Sequence, residues 1–238
     1  MATIGPNLQA VRQRIADAAR ARGRDPASVE LIAVSKTFGA DAVVAAQACG
    51  QQAFGENYVQ EALDKISIVA AGAGVTNSRM QPVVWHFIGP IQSNKTRQIA
   101  ENFAWVHSVD RSKIAARLAA ARPTGLAPLQ VCIQVNLGDE ASKSGVAPPD
   151  ALALARAVSA LPRLKLRGLM AIPPASKDPA QQRRYFAELR ELMAKLNATG
   201  MALDTLSMGM SSDLEAAIAE GATLVRVGTA IFGARNGQ

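Results

Sequence analysis

Aromatic residues make up only 4% of this 238-residue chain, and it has only two cysteines. A core with so few rings has to be assembled from Ala, Val, Leu and Ile. Cys49 and Cys132 stand far apart, so they form no disulfide framework and read as reduced thiols of a cytoplasmic protein. Histidine is equally scarce: His86 and His107 are the only two, and with the cysteines they lack any metal-ligand spacing, so no metal is expected. The longest stretch free of charged side chains, Pro123 to Gly138, contains Pro128, Gln130, Gln134 and Asn136, so no segment reads as a membrane span. An apolar signal core is also missing near the start, where Arg12 and Arg14 sit among Gln and Asp residues. Neither a Gly-x-Ser-x-Gly elbow nor a phosphate loop closing on Gly-Lys-Ser/Thr occurs. Hydrolase and nucleoside-triphosphatase readings are left without support.

Apolar residues account for 49% and charged ones for 19%, the balance of a globular chain rather than a disordered one. Lys and Arg number 26 against 19 Asp and Glu, a net charge of +7. Arg12, Arg14, Arg20, Arg22 and Arg24 cluster early, while the remaining basic residues are scattered among acids. Nucleic-acid surfaces gather charge into stripes and often interleave aromatics for stacking. This arrangement reads instead as a solvated helix face, with no nucleic-acid partner.

Leu8, Val11, Ile15 and Ala18 recur at helical spacing, predicting an extra helix at the N-terminus that Gly23 and Pro26 stop. Short apolar runs then alternate with helical stretches. The predicted strands are Leu31–Ser35, Gln52–Gly55, Val83–Ile88, Ala104–Val109, Leu129–Asn136, Leu164–Ile172, Thr205–Met208 and Thr223–Val227. Asp110 is placed to cap the helix beginning near Arg111, Asp178-Pro179 to start another, and Ser212 with Glu215 to form a capping box. Eight strands separated by helices predict an α/β fold, a single (β/α)₈ TIM barrel spanning residues 1–238, with a doubly wound open sheet as its rival. The Gly-rich Ala71–Gly74 follows a helix and precedes a strand, the wrong order for a phosphate-cradling turn, and is expected to be a loop.

Barrel active sites form at the carboxyl ends of the strands. There the chain places Lys36, Asn57, Asn136, Ser207 and Arg226. Ile32, Val34 and Lys36 share one strand face, so Lys36 continues an apolar row. Spacing alone leaves two readings: an amine turned into the barrel and nucleophilic toward carbonyls, or a lysine snorkelling into water. Gly228-Thr229-Ala230-Ile231-Phe232 has the form of the anion-binding turn after the eighth strand, with Ser207 and Ser211 as further donors. Ser211 and Ser212 are equally readable as helix caps. Arg226 has the parity of Leu224 and points inward, either to a ligand or to an ion pair with Glu56. His107 reads as a structural histidine.

The segments Ala33-Val34-Ser35-Lys36, Phe54-Gly55-Glu56-Asn57-Tyr58, Trp85-His86-Phe87-Ile88-Gly89-Pro90 and Gln92-Ser93-Asn94-Lys95 form a recognisable set. With them go Ser142-Lys143-Ser144-Gly145, Gly168-Leu169-Met170, Leu206-Ser207-Met208-Gly209-Met210-Ser211 and Arg226 through Gly233. Together they resemble the pyridoxal phosphate homeostasis proteins, also called the YggS or proline synthase co-transcribed family, from about Leu8 to Gly233. Only the loop Ala71–Pro82 has no counterpart. The resemblance implies a barrel of the alanine racemase N-terminal type and a Schiff base between Lys36 and pyridoxal 5′-phosphate. It further implies a phosphate held by Ser207, Gly228, Thr229 and Ser211, a ring nitrogen facing Arg226, a pocket wall at Asn57 and a second lysine, Lys143, near the mouth. Members of the family carry or regulate the free cofactor without established turnover, so no catalytic residue is assigned. Apo-enzymes needing the cofactor are the implied partners, and a monomer or weak dimer is expected. A small amino-acid racemase is the alternative. It would need an acid or base on each face of the bound Cα. In alanine racemase the opposing tyrosine comes from a separate β domain that this chain is not expected to form; Tyr58 and Tyr185 are its only tyrosines. A binding module with a vestigial pocket is the third reading.

Overall fold

A computed structural model describes residues 3–73, 81–138 and 144–234. Eight parallel strands close into a barrel in chain order: β1 Glu30–Val34, β2 Ala53–Glu56, β3 Val84–Phe87, β4 Trp105–Val109, β5 Leu129–Gln134, β6 Leu164–Met170, β7 Thr205–Ser207 and β8 Leu224–Val227. Each predicted strand is present: β1 is shifted one residue toward the N-terminus, β2 one residue toward the C-terminus, and the others are trimmed by one or two residues. Pairing of β8 with β1, with Ile32 opposite Arg226 and Ala33 opposite Val227, seals the barrel and excludes the open-sheet rival.

The N-terminal helix α1, Ile4–Arg20, buries Ile4, Leu8, Val11, Ile15 and Ala19. Ala18, expected on that face, is only partly buried, because Ala19 takes the inner position. The helices that follow are α2 Ala40–Ala48, α3 Val59–Ala73, α4 Thr96–Asn102, α5 Ser112–Ala121, α6 Ala151–Ser159, α7 Pro179–Asn197, α8 Leu214–Ala219 and α9 Thr229–Phe232. Ala71–Ala73 belong to the end of α3 rather than to a loop, and Gly74 and Lys143 lie outside the described residues.

Alternation along the strands divides the side chains into two layers. Ala33, Phe54, Phe87, Val106 and Ile133 point outward into one continuous apolar cluster under the helices. Ile32, Ala53 and Leu224 point inward, with Trp105 against them. A Cβ on Gly55 would stand 3.0 Å from both Ile32 Cγ2 and Ile88 Cδ1, so this interior is already full. The N-terminal end of the barrel is plugged by Arg167, whose guanidinium lies 5.0 Å from the Trp105 ring centroid and donates to Asp204 and Gln130. The open end is the opposite one.

Three capping expectations meet different outcomes. Asp178 accepts from the Ala180 amide at 2.9 Å and Pro179 opens α7, as expected. Asp110 does not cap α5; its carboxylate is taken by the neighbouring Arg111 guanidinium. The Ser212–Glu215 capping box is absent: α8 begins one residue beyond Asp213, and Glu215 is drawn away to Arg14. In both failures a nearby guanidinium outcompetes a backbone amide for the carboxylate.

Candidate functional site

The carboxyl ends of the strands surround a cavity of about 300 Å³, lined by Val34, Lys36, Phe38, Asn57, Ile88 and Ile172 on one side. Met210, Ser211, Ser212, Arg226, Gly228 and Thr229 complete the wall. Of the residues predicted from sequence, Lys36, Asn57, Ser211, Arg226, Gly228 and Thr229 therefore meet at one place. Lys36 follows β1 and stands half-buried on the cavity wall, beside Val34.

Gly228 lets two strands approach closely: a Cβ there would lie 3.0 Å from the Val34 carbonyl oxygen and 3.3 Å from Val34 Cβ. α9 starts directly after it, and the leading amides of a helical turn have no partner within the turn. Thr229 stands on the cavity wall. Asn57 carries a buried Oδ1 that has no hydrogen-bond partner among the described residues.

Ser207 is placed differently from expectation. Its side chain is buried beneath the cavity and is not part of the wall. Arg226 donates to Ser207 Oγ at 2.6 Å and to the Ala171 carbonyl at 3.0 Å. A guanidinium can only donate, so the serine oxygen accepts from it; the same Oγ pairs with His107 Nδ1, 2.7 Å away. The other His107 nitrogen pairs with His86 Nδ1 at 3.0 Å. His86 stacks on Trp105, and its Nε2 has no hydrogen-bond partner among the described residues. A polar column thus runs from the cavity floor down the barrel axis. Burial keeps both rings neutral: His86 is pushed down to about 3, and His107 falls well below the ordinary histidine value, with His86 and Arg226 adding to the effect. Arg226 is only 4% exposed, and desolvation lowers it to about 10, still a cation at neutral pH.

The ion pair of Arg226 with Glu56 does not form. Glu56 points outward from the barrel, where Lys65 of α3 pairs with it at 2.7 Å. Sequence reasoning passed over Lys65, although its i,i+4 spacing from Glu61 and the outward parity of Glu56 were both readable. Tyr58 is 57% exposed, Tyr185 packs beside Gly138, and no tyrosine lines the cavity among the described residues. Cys49 and Cys132 are both free, and among the described residues no group of His, Cys, Asp and Glu could hold a metal ion. No described helix is long and apolar enough to cross a membrane.

Residues 7–236 match the family model of the alanine racemase N-terminal domain. A pyridoxal phosphate homeostasis protein of Pseudomonas aeruginosa is 61% identical over 236 residues, covering 99% of this chain and 97% of its own length. Its counterpart in Escherichia coli is 50% identical, with coverages of 99% and 98%. The solved structure of PipY from Synechococcus elongatus with PLP bound superposes with a TM-score of 0.79 at 40% identity, over 92% of this chain and all (100%) of that one. Alanine racemase from Corynebacterium glutamicum, at 17% identity and a TM-score of 0.66, shares the fold; 94% of this chain matches 60% of that one. The closed barrel, the lysine-bearing cavity and these likenesses agree that the chain belongs to the alanine racemase N-terminal domain family and, within it, to the pyridoxal phosphate homeostasis proteins.

Proposed function

We propose that this chain binds pyridoxal 5′-phosphate in the barrel-mouth cavity through Lys36, and that it carries or regulates the free cofactor rather than turning over a substrate. The observation that carries the reading is the meeting of one lysine, one arginine and a Gly-Thr turn on the wall of a single cavity. When bound, the cofactor supplies an aldehyde that condenses with an amine and a ring that can withdraw electrons.

The residues fit that group. Lys36 provides the amine, on a wall whose Val34, Phe38, Ile88 and Ile172 limit water. Gly228 supplies a backbone cradle that a Cβ would fill, and Thr229 and Ser211 offer hydroxyls to a phosphate. Asn57 brings an acceptor in want of a donor. Arg226 is a permanent donor, so a ring nitrogen facing it is held in the acceptor form. A carboxylate there would do the opposite and make the ring a strong electron sink. Transamination and similar carbanion chemistry are thereby disfavoured. Ser207 is assigned to holding Arg226 rather than the phosphate.

Among the described residues the cavity wall also lacks a tyrosine to serve a second face of a bound amino acid. That supports a carrier over a racemase, as do relatives named for homeostasis. Hand-over to apo-enzymes in the cytoplasm by a monomer or weak dimer belongs to the same proposal. Two readouts test it. Titration with pyridoxal phosphate is expected to produce a visible absorbance band that competing amines reverse, and deuterium exchange at the Cα of alanine is expected to stay slow. Exchange at about 1 s⁻¹ or faster, within the ordinary enzyme range, would make the protein a racemase. Absence of the band would leave the pocket vestigial.

A further inference from the structure

Behind Lys36, on the outer face of the barrel, lies a buried ionic junction that the binding site does not use directly. Lys65 of α3 is only 4% exposed. Its ammonium donates to Glu56 Oε1 at 2.7 Å, to Glu61 Oε1 at 2.6 Å and to the Ser35 carbonyl at 2.7 Å. Those are three acceptors for three protons, so the group is saturated. The same two carboxylate oxygens reach the chain on either side of Lys36. The Ser35 hydroxyl donates to Glu56 Oε1 at 2.6 Å, and the Thr37 amide donates to Glu61 Oε1 at 2.6 Å.

Lys36 is therefore flanked by two residues tied to one junction. Thr37 holds φ at 70°, in the left-handed region that a β-branched residue rarely enters. Such a conformation persists only where surrounding contacts over-determine it. Here the contact comes from Glu61 of α3, 24 residues along the chain.

We infer that Lys65, with Glu56 and Glu61, is a positioning device that fixes the backbone around Lys36 and so sets the reach of its amine into the cavity. Stability alone is a weak reason for such a cluster. Exchanging a buried ion pair for uncharged groups of similar volume is often neutral or stabilising, whereas removing one partner is not. The inference rests on Lys36 being the attachment point, and that is checked first: wild-type protein treated with pyridoxal phosphate and borohydride must carry the label on Lys36. If it does not, the functional reading fails and this one goes with it.

Given that label, the double variant Lys65→Met with Glu56→Gln removes the junction's cation and its buried anion together. Thermal unfolding of the cofactor-free protein is expected to stay close to wild type. Displacement of the bound cofactor by hydroxylamine is expected to accelerate about tenfold, the equivalent of one lost charged hydrogen bond, and the visible circular dichroism of the bound ring to weaken. Glu61→Gln weakens the Thr37 side and one of the three Lys65 links, at a partly exposed carboxylate, and is expected to show a smaller change of the same sign. It carries the test if the double variant does not fold. Wild-type displacement rate and circular dichroism in the double variant, or in Glu61→Gln when that variant carries the test, would overturn the inference.

Discussion

Two buried polar clusters support the cavity, and they are built on opposite principles. The inner one, Arg226–Ser207–His107–His86, descends the barrel axis and contains a single charge; its histidines are neutral and its links are hydrogen bonds. The outer one, Lys65 with Glu56 and Glu61, lies between sheet and α3 and is ionic. The inner column holds the arginine on the cavity wall; the outer junction holds the backbone beside the lysine. A column of neutral groups can be lengthened through the barrel without stacking like charges beside Arg226. A junction whose task is to join three segments gains from the short, strong links that ionised partners provide. The two clusters should therefore fail differently.

The largest difference concerns single substitutions. Lys65→Ala strands a fully buried carboxylate, and loss of one partner from a buried pair costs about 3–5 kcal/mol. Urea unfolding of the cofactor-free protein should register that loss, while Lys65→Met with Glu56→Gln recovers most of it. Equal losses for the two would mean that packing rather than charge dominates the junction.

In the inner column, His107→Leu removes a link between neutral groups and leaves His86 Nδ1 without its partner, a penalty of roughly 1–3 kcal/mol. The same denaturation experiment ranks it below Lys65→Ala; a larger loss than Lys65→Ala would reverse the comparison.

Acid separates the clusters further. Because the folded state holds its histidines neutral, the unfolded chain binds more protons between about 3, the depressed His86 value, and 6.5, the ordinary one. Stability therefore falls as pH drops through that window, by roughly 1.4 kcal/mol per pH unit for each histidine held neutral. His86→Leu should flatten the slope by one histidine's share. A slope unchanged by His86→Leu would place the proton uptake elsewhere.

A further pair of substitutions distinguishes wall from floor. Thr229→Ala removes one hydroxyl from a charged ligand and should weaken cofactor retention about tenfold to a hundredfold, with the apo-protein's stability unchanged. Ser207→Ala, by contrast, should lower apo-protein stability by roughly 1.5–3 kcal/mol, because it takes an acceptor from Arg226. Equilibrium dialysis paired with unfolding separates the two; identical behaviour would return Ser207 to the phosphate site.

The barrel was readable because every strand is a short apolar run bounded by helical spacing, and period-two parity already turned Arg226 inward and put Lys36 in the row of Ile32 and Val34. The Gly228-Thr229 turn was legible for the same reason, standing at the end of the last strand. The depth of Ser207 was not legible, because its hydroxyl shares the inward face yet lies one layer lower, and a strand pattern gives direction without depth. The histidine column was hidden because β3, β4 and β7 bring His86, His107 and Ser207 together only when the barrel closes. Lys65 was overlooked since a charged residue on a helix ordinarily faces water. Its i,i+4 spacing from Glu61 and the outward parity of Glu56 hinted otherwise.

The most direct measurement is intact mass after borohydride reduction of the protein loaded with pyridoxal phosphate, followed by peptide mapping. One cofactor equivalent on the peptide bearing Lys36, lost in Lys36→Ala while thermal unfolding of the apo-protein stays at the wild-type value, is the expected result. A label confined to any other lysine, or one undiminished in Lys36→Ala, would contradict it.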